Sequence, residues 1–164
     1  QGGGKLAGQS WTMSSHTNHP LFAALGCTFV TNVTGATRPV YWLNPAHSLF
    51  TQPFTVPMLA QPDLHSAMIY GQHCTTTNGG HAVAAFNVSP AVSNAYSIII
   101  GASGDTIWRT FLDASFSQDL NVNGRPDAEE LWVNIINYLE IPEPGGVLLA
   151  ALALCAWRRR ARRV

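Results

Sequence analysis

Ala95-Tyr96-Ser97-Ile98-Ile99-Ile100-Gly101-Ala102-Ser103-Gly104-Asp105 is the stretch on which the fold reading turns. A run that closes on three isoleucines has no polar face. It therefore reads as a strand covered on both sides, as in the interior of a parallel sheet. Gly101 to Asp105 reads as a small-residue loop, and Thr106 to Phe116 as a helical pattern beyond it. Outward from this centre, Thr28 to Val33 alternates, and Pro39 to Leu43 is rich in β-branched and aromatic residues. Both read as strands, with a turn at Gly35 to Pro39. His65 to Gln72 and His81 to Asn87 are further strands, split by the polar run Thr75 to Gly80. Glu129 to Leu139 is the clearest helix: Leu131, Ile135, Ile136 and Leu139 form one stripe, and acidic residues sit at its start. The expectation is an α/β domain over residues 1–140, with a partly parallel sheet and flanking helices.

Composition narrows the function classes. The chain has 164 residues, 46% hydrophobic and 11% charged, enough for one domain with a core. Its formal net charge of zero hides an asymmetry. Five arginines lie in the last seven residues, so the rest of the chain is left with Lys5, Arg38, Arg109 and Arg125 and is acidic. That surface cannot neutralise a run of phosphates, which argues against a nucleic-acid partner. Low charge and abundant Thr, Ser, Asn and Gly suit an exported protein.

Asp119-Leu-Asn121-Val-Asn123-Gly124-Arg125-Pro-Asp127-Ala-Glu-Glu130 carries the sharpest chemistry. It fits the twelve-residue EF-hand type of calcium loop at positions one, three, five, six, nine and twelve. Calcium takes six to eight oxygens in a flexible cage. Asp119, Asn121 and Asn123 would give side-chain oxygens, Arg125 its carbonyl, Asp127 a direct or water-borne contact and Glu130 a bidentate one. Gly124 permits the sharp turn. Val122 and Pro126 depart from the usual loop, and no second loop pairs with this one. The alternative is a polar helix cap, with Pro126 in the first turn and Asp127, Glu129 and Glu130 favouring its positive end.

Residues 141–164 read as a separate tail. Pro142-Glu143-Pro144 keeps the backbone extended. The apolar run beyond it includes Val147, Leu148, Leu149, Leu152, Leu154 and Trp157, and ends at Arg158, Arg159 and Arg160. From Gly145 to Trp157 it would span about 20 Å as a helix, against roughly 30 Å of hydrocarbon. Snorkelling arginines extend that reach and keep their end cytoplasmic. The order resembles the PEP-CTERM sorting signal of exported bacterial proteins. That resemblance implies an exosortase-type sorting enzyme as partner, transient anchoring in the inner membrane, and delivery to the cell envelope or surface. The other reading of the tail is an amphipathic or disordered segment. No signal peptide is visible after Gln1, so the sorting reading expects the N-terminal part of the domain to be missing here.

The body has its own resemblance. His19-Pro-Leu-Phe22, the strand and loop Ile98 to Asp105, and Asn134 to Leu139 of the form Asn-x-x-x-Tyr-Leu are similar to parts of class I glutamine-amidotransferase-like domains, the ThuA-like group included. The likeness spans roughly Asn18 to Leu139 and implies a flavodoxin-like fragment, the C-terminal half of such a domain. Catalytic members carry a cysteine on a strand-to-helix elbow flanked by glycines, and neither Cys27 nor Cys74 has that setting. The resemblance therefore implies a non-catalytic member, with a ligand-binding or matrix role expected at the surface, or an amidotransferase-like or hydrolase enzyme whose nucleophile precedes Gln1. A calcium-stabilised adhesive module is the third expectation.

The remaining reactive residues give weaker signals. Cys27 and Cys74 offer a pair for a disulfide in an oxidising compartment, or two buried free thiols. His65, His73 and His81 recur every eight residues without a metal-binding pattern beside them. Ser103 lacks the two flanking glycines of a nucleophile elbow. Two segments, Asn18-His19-Pro20-Leu21-Phe22 and Ala46-His47-Ser48-Leu49-Phe50, repeat a histidine just before a Leu-Phe pair.

Overall fold

A computed structural model describes residues 4–10, 13–17, 19–34, 39–59, 69–86, 94–113 and 116–140. The strands are β1 Leu6–Gln9, β2 Cys27–Thr34, β3 Tyr41–Trp42, β4 Ile69–Thr76, β5 His81–Ala85, β6 Tyr96–Ile100 and β7 Thr106–Arg109. Among the described residues, α1 Pro20–Ala24 lies between β1 and β2, α2 Ser48–Thr51 between β3 and β4, and α3 Asp127–Glu140 follows β7. All seven strands belong to one sheet, whose main path runs β1-β7-β6-β4-β2, with β5 on β6 and β3 on β5. The fold is mixed α/β, sheet-dominated and partly parallel.

The triple isoleucine forms the centre of this sheet. β6 runs antiparallel to β5, β7 and β4, and the parallel pair is β1 with β7. The parallel-interior expectation for Ala95 to Ile100 is thus corrected. Its apolar run reports burial on two faces, and an antiparallel strand between two cores meets the same demand. Ile98 and Ile100 enter one apolar cluster with Leu131 and Ile135 of α3. Ile99 enters another, on the opposite face, with Cys27, Cys74 and Trp108. Each buried isoleucine contributes about 1.5–3 kcal/mol.

A second correction concerns Thr106 to Phe116, expected to be helical. Thr106–Arg109 is strand β7, the return arm of a hairpin with Ile100 opposite Ile107. Gly101 N–H donates to the Thr106 carbonyl at 2.9 Å, and Gly104 turns the chain at φ 77°. Asp105 therefore lies in a hairpin turn rather than capping a helix. β-branched Thr106 and Ile107 beside Trp108 suit a pleated surface better than a helix. The sequence order of apolar residues there fits both periods, and pairing with β6 decides between them.

α3 packs on the first cluster through Ala128, Leu131, Ile135 and Leu139. Ile136, expected in that stripe, is half exposed and faces outward. Asn134 takes a buried place instead. Its side chain accepts from Phe54 N–H at 3.0 Å and donates to the carbonyls of Leu49 and Phe54 at 3.0 and 2.7 Å. It thereby stitches α3 to the segment leaving α2. β2, β4 and β5 overlap the strands expected from the sequence, although β4 runs on through Thr75 and Thr76 before the turn. The tail, 141–164, and His65 lie outside the described residues.

Candidate functional site

The segment from Asp119 to Glu130 folds as a tight loop leading into α3. Glu129 and Glu130 amides donate to the Pro126 carbonyl, so Pro126 stands just ahead of the first helical turn. Two residues adopt left-handed backbone: Val122 at φ 59° and Gly124 at φ 88°. For Gly124 this is the conformation that glycine tolerates without strain. For Val122 it is unfavourable, and its side chain projects into solvent. Asp119 holds the turn from inside: its two oxygens accept the amides of Asn123 and Gly124 at 3.1 and 2.7 Å. The Arg125 amide donates to Asn123 Oδ1 at 3.1 Å.

The side chains at odd positions turn inward rather than out. Asn121 Nδ2 donates to Glu130 Oε2 at 2.6 Å, and Asn123 Nδ2 donates to the other oxygen, Oε1. Glu130 is buried, although it belongs to the first turn of a helix, and it receives both amides. Each amide also carries an oxygen on the same short arm, so a half-turn about its last bond replaces a donor by an acceptor. Asp127 Oδ2 accepts the Leu120 amide at 2.9 Å. Its partner atom, Oδ1, is buried with no hydrogen bond, on a residue only 1% exposed.

Electrostatics single out the same carboxylate. Burial pushes the Asp127 carboxyl above its ordinary value; the backbone amides of Leu120 and, more weakly, Asn121 oppose this, while the negative charges of Asp119 and Glu130 push it further. Asp119 and Glu130 thus lie near enough to Asp127 to feel its charge, and Asn121 and Asn123 both meet Glu130. The oxygen set expected from the sequence includes amide and carbonyl oxygens as well as carboxylates. Among the described residues, no three His, Cys, Asp or Glu side chains are grouped closely enough to hold a metal by themselves. Arg125 enters the expected oxygen set through its carbonyl, while its guanidinium lies over the Phe54 ring at 5.7 Å. Asn121 also reaches the Thr55 carbonyl at 3.5 Å, which brings the loop against the segment that Asn134 secures.

The other candidates fall into separate places. His19 and His47 stand at the N-caps of α1 and α2, each accepting the amide two residues on, Leu21 or Leu49, through Nδ1 at 3.2 Å. The repeated His-x-Leu-Phe motif is therefore a capping device, which the sequence displayed without revealing its purpose. His73 stacks on Phe86 at 5.5 Å. Cys27 and Cys74 are free, buried, and on neighbouring strands. The sorting motif at Pro142, Glu143 and Pro144 and the expected membrane anchor from Val147 to Arg160 lie outside the described residues. Among the described residues no helix is long and apolar enough to cross a membrane.

A polar cluster that the sequence did not announce pins α3 to β7. Arg109 is fully buried, with its guanidinium 4.1 Å from the Trp132 ring and 5.0 Å from the Phe111 ring. Asp113 pairs with Arg109 and accepts the Trp132 indole N–H. Burial lowers the Arg109 pKa, and Asp113 opposes that shift. No protein-family model matches the chain, and neither a curated protein nor a solved structure matches it significantly.

Proposed function

We propose that this chain is an exported, surface-sorted, non-catalytic α/β module whose closing helix is held by one calcium ion in the loop from Asp119 to Glu130. One observation carries the calcium reading: Asn121 and Asn123 converge on buried Glu130 beside the unpartnered oxygen of Asp127. In the proposed site the asparagine amides turn their oxygens inward and Glu130 chelates through both of its own. The Asp127 oxygen without a partner faces the ion, directly or through water. Asp119 keeps its two amide donors and uses a remaining lone pair. A single such loop binds weakly, at roughly 10⁻⁴–10⁻³ M, the range of extracellular modules.

Export and sorting rest on the order of Pro142-Glu143-Pro144, apolar run and arginines, and on the resemblance to PEP-CTERM signals. The non-catalytic reading is supported by how the reactive side chains are used: two histidines cap helices, one stacks on an aromatic ring, and the two cysteines are buried. The finer fold reading, the C-terminal half of a flavodoxin-like, amidotransferase-like domain, rests on the sequence resemblance, with β1/β7 as its one parallel pair among the described strands and β6 antiparallel to its neighbours. On that reading the enzyme alternative requires a nucleophile from residues preceding Gln1.

Thermal melting with and without calcium tests the site. At a hundredfold excess over the dissociation constant the ion should add about 2.7 kcal/mol. Asp119→Ala and Glu130→Gln should each remove most of that gain, and magnesium should not replace calcium, because it demands a smaller, stricter octahedron. An unchanged melting temperature up to about 100 mM calcium, a hundredfold excess over the weakest dissociation constant in that range, would leave the loop a helix cap only.

A further inference from the structure

The register of β2 and β4 brings together two thiols that the calcium reading does not use. Cys27 lies opposite Thr76 and Cys74 opposite Phe29, so the cysteines are diagonal neighbours across one antiparallel pair. Both side chains point to the same face, into the cluster formed with Met13, Phe22, Leu25, Ile99 and Trp108. Each is 0% exposed. The Cys74 thiol lies 3.6 Å from Met13 Sδ, which also accepts the Trp108 indole N–H at 3.3 Å. Interaction with the Cys27 thiol, together with burial, pushes the Cys74 thiol far above its ordinary pKa. The Cys74 sulfur is thereby held as the thiol, whereas a nucleophile or a metal ligand requires the thiolate. Disulfide exchange needs a thiolate as well, so a bond between them has to form before the apolar pocket closes.

We propose that Cys27 and Cys74 are a disulfide-forming pair, closed while the chain folds. Two S–H bonds break and one S–S bond forms. The two electrons and two protons pass to a disulfide-bearing oxidant, which leaves as two thiols. Closure belongs to folding because the finished cluster shields both sulfurs from any oxidant. The bond would join strands whose connection runs through β3 and α2, and cross-linking so long a loop restricts the unfolded chain. Their place on one face of adjoining strands makes the pair a candidate. Because diagonal Cα atoms on an antiparallel pair stand about 7–8 Å apart, the bond requires the strands to shift slightly as it closes. Its closure in the cell rests on the proposed export, since the cytosol keeps thiols reduced.

The test separates those two claims. The full chain is reduced, unfolded, and refolded in a glutathione buffer containing the oxidised form. It is then unfolded again with N-ethylmaleimide and no reductant. Trypsin leaves both cysteines in one peptide, Leu6 to Arg109, because its one internal lysine or arginine, Arg38, precedes Pro39. The expected peptide is lighter by two hydrogens and unalkylated, and after reduction it takes two maleimides. Cys155 reports the labelling efficiency in the same digest. Cys27→Ala should expose Cys74 to the label and remove the drop in melting temperature that reductant causes in the parent. Two maleimides on the refolded parent peptide would overturn the proposal. A bridged peptide after refolding, but two maleimides on protein recovered from the native host, would support the pair and sink the export reading.

Discussion

His47 shows how a single side chain can serve structure through chemistry that looks catalytic. Its Nδ1 accepts the Leu49 amide, so the capping bond needs the neutral ring. Burial lowers its pKa from 6.5, and the neighbouring charge of His81 lowers it further; the rings of Phe50 and Tyr138 complete its surroundings. The unfolded chain therefore binds this proton more readily than the folded one. The cap's contribution is present above about pH 6.5 and is lost as the pH falls through the lower folded value. Urea unfolding between about pH 7.5 and 5 should show that loss. His47→Asn, which keeps an N-cap acceptor without a titrating group, should flatten this part of the profile. A variant profile parallel to the parent's would show that other groups carry the dependence. The polar loop from Asp119 to Glu130 was legible at this scale because its carboxylate and amide positions follow a fixed spacing; its calcium role remains the proposal above. The histidine caps were displayed but not understood, because a ring accepting from a backbone amide leaves no spacing rule behind.

Among the elements, α3 matters most, because it closes the larger core and carries the end of the loop. Asp113 secures it from the side by holding Trp132 of the helix and Arg109 of β7 at once. Asp113→Asn keeps the shape of the side chain but leaves the Arg109 guanidinium buried without its counter-charge. Such a loss costs about 3–5 kcal/mol. The variant should unfold at markedly lower urea, with little change in the slope that reports exposed surface. A shift equal to that of an exposed ion pair, below about 1 kcal/mol, would show that the stacked rings suffice for Arg109. Strands β2, β5 and β6 and helix α3 were readable from periodicity, since each buries its own apolar stripe. β7 was misread because Thr106 to Phe116 contains apolar residues at both helical and strand intervals. Only the partner, β6, selects between them. The direction of β6 was equally hidden, since three isoleucines between two cores look the same whichever way the neighbours run.

The whole molecule combines two apolar clusters on opposite sides of one sheet, one closed by α3 and the other by α1 and the buried cysteines. The closing helix is tied at both ends. At its start, Asp119, Asp127 and Glu130 crowd negative charge that a cation would relieve. At its finish, the Lys5 ammonium donates to the Leu139 carbonyl, where the helix dipole favours a positive group. Both ties lie before residue 141. If the chain divides into a domain over 1–140 and a sorting tail over 141–164, removal of the tail should leave the fold intact. A chain ending at Glu140 should therefore match the full chain in melting temperature and in its response to calcium. Protein released from the surface of a host with the sorting enzyme should end near Pro142 to Gly146 by mass spectrometry. A lower melting temperature for the shortened chain would place part of the tail within the folded unit. Mature surface protein still ending in Val164 would remove the sorting role altogether. The two measurements address different joints of the molecule. The first asks whether the last turn of α3 holds without the tail, and Lys5 gives the reason to expect that it does.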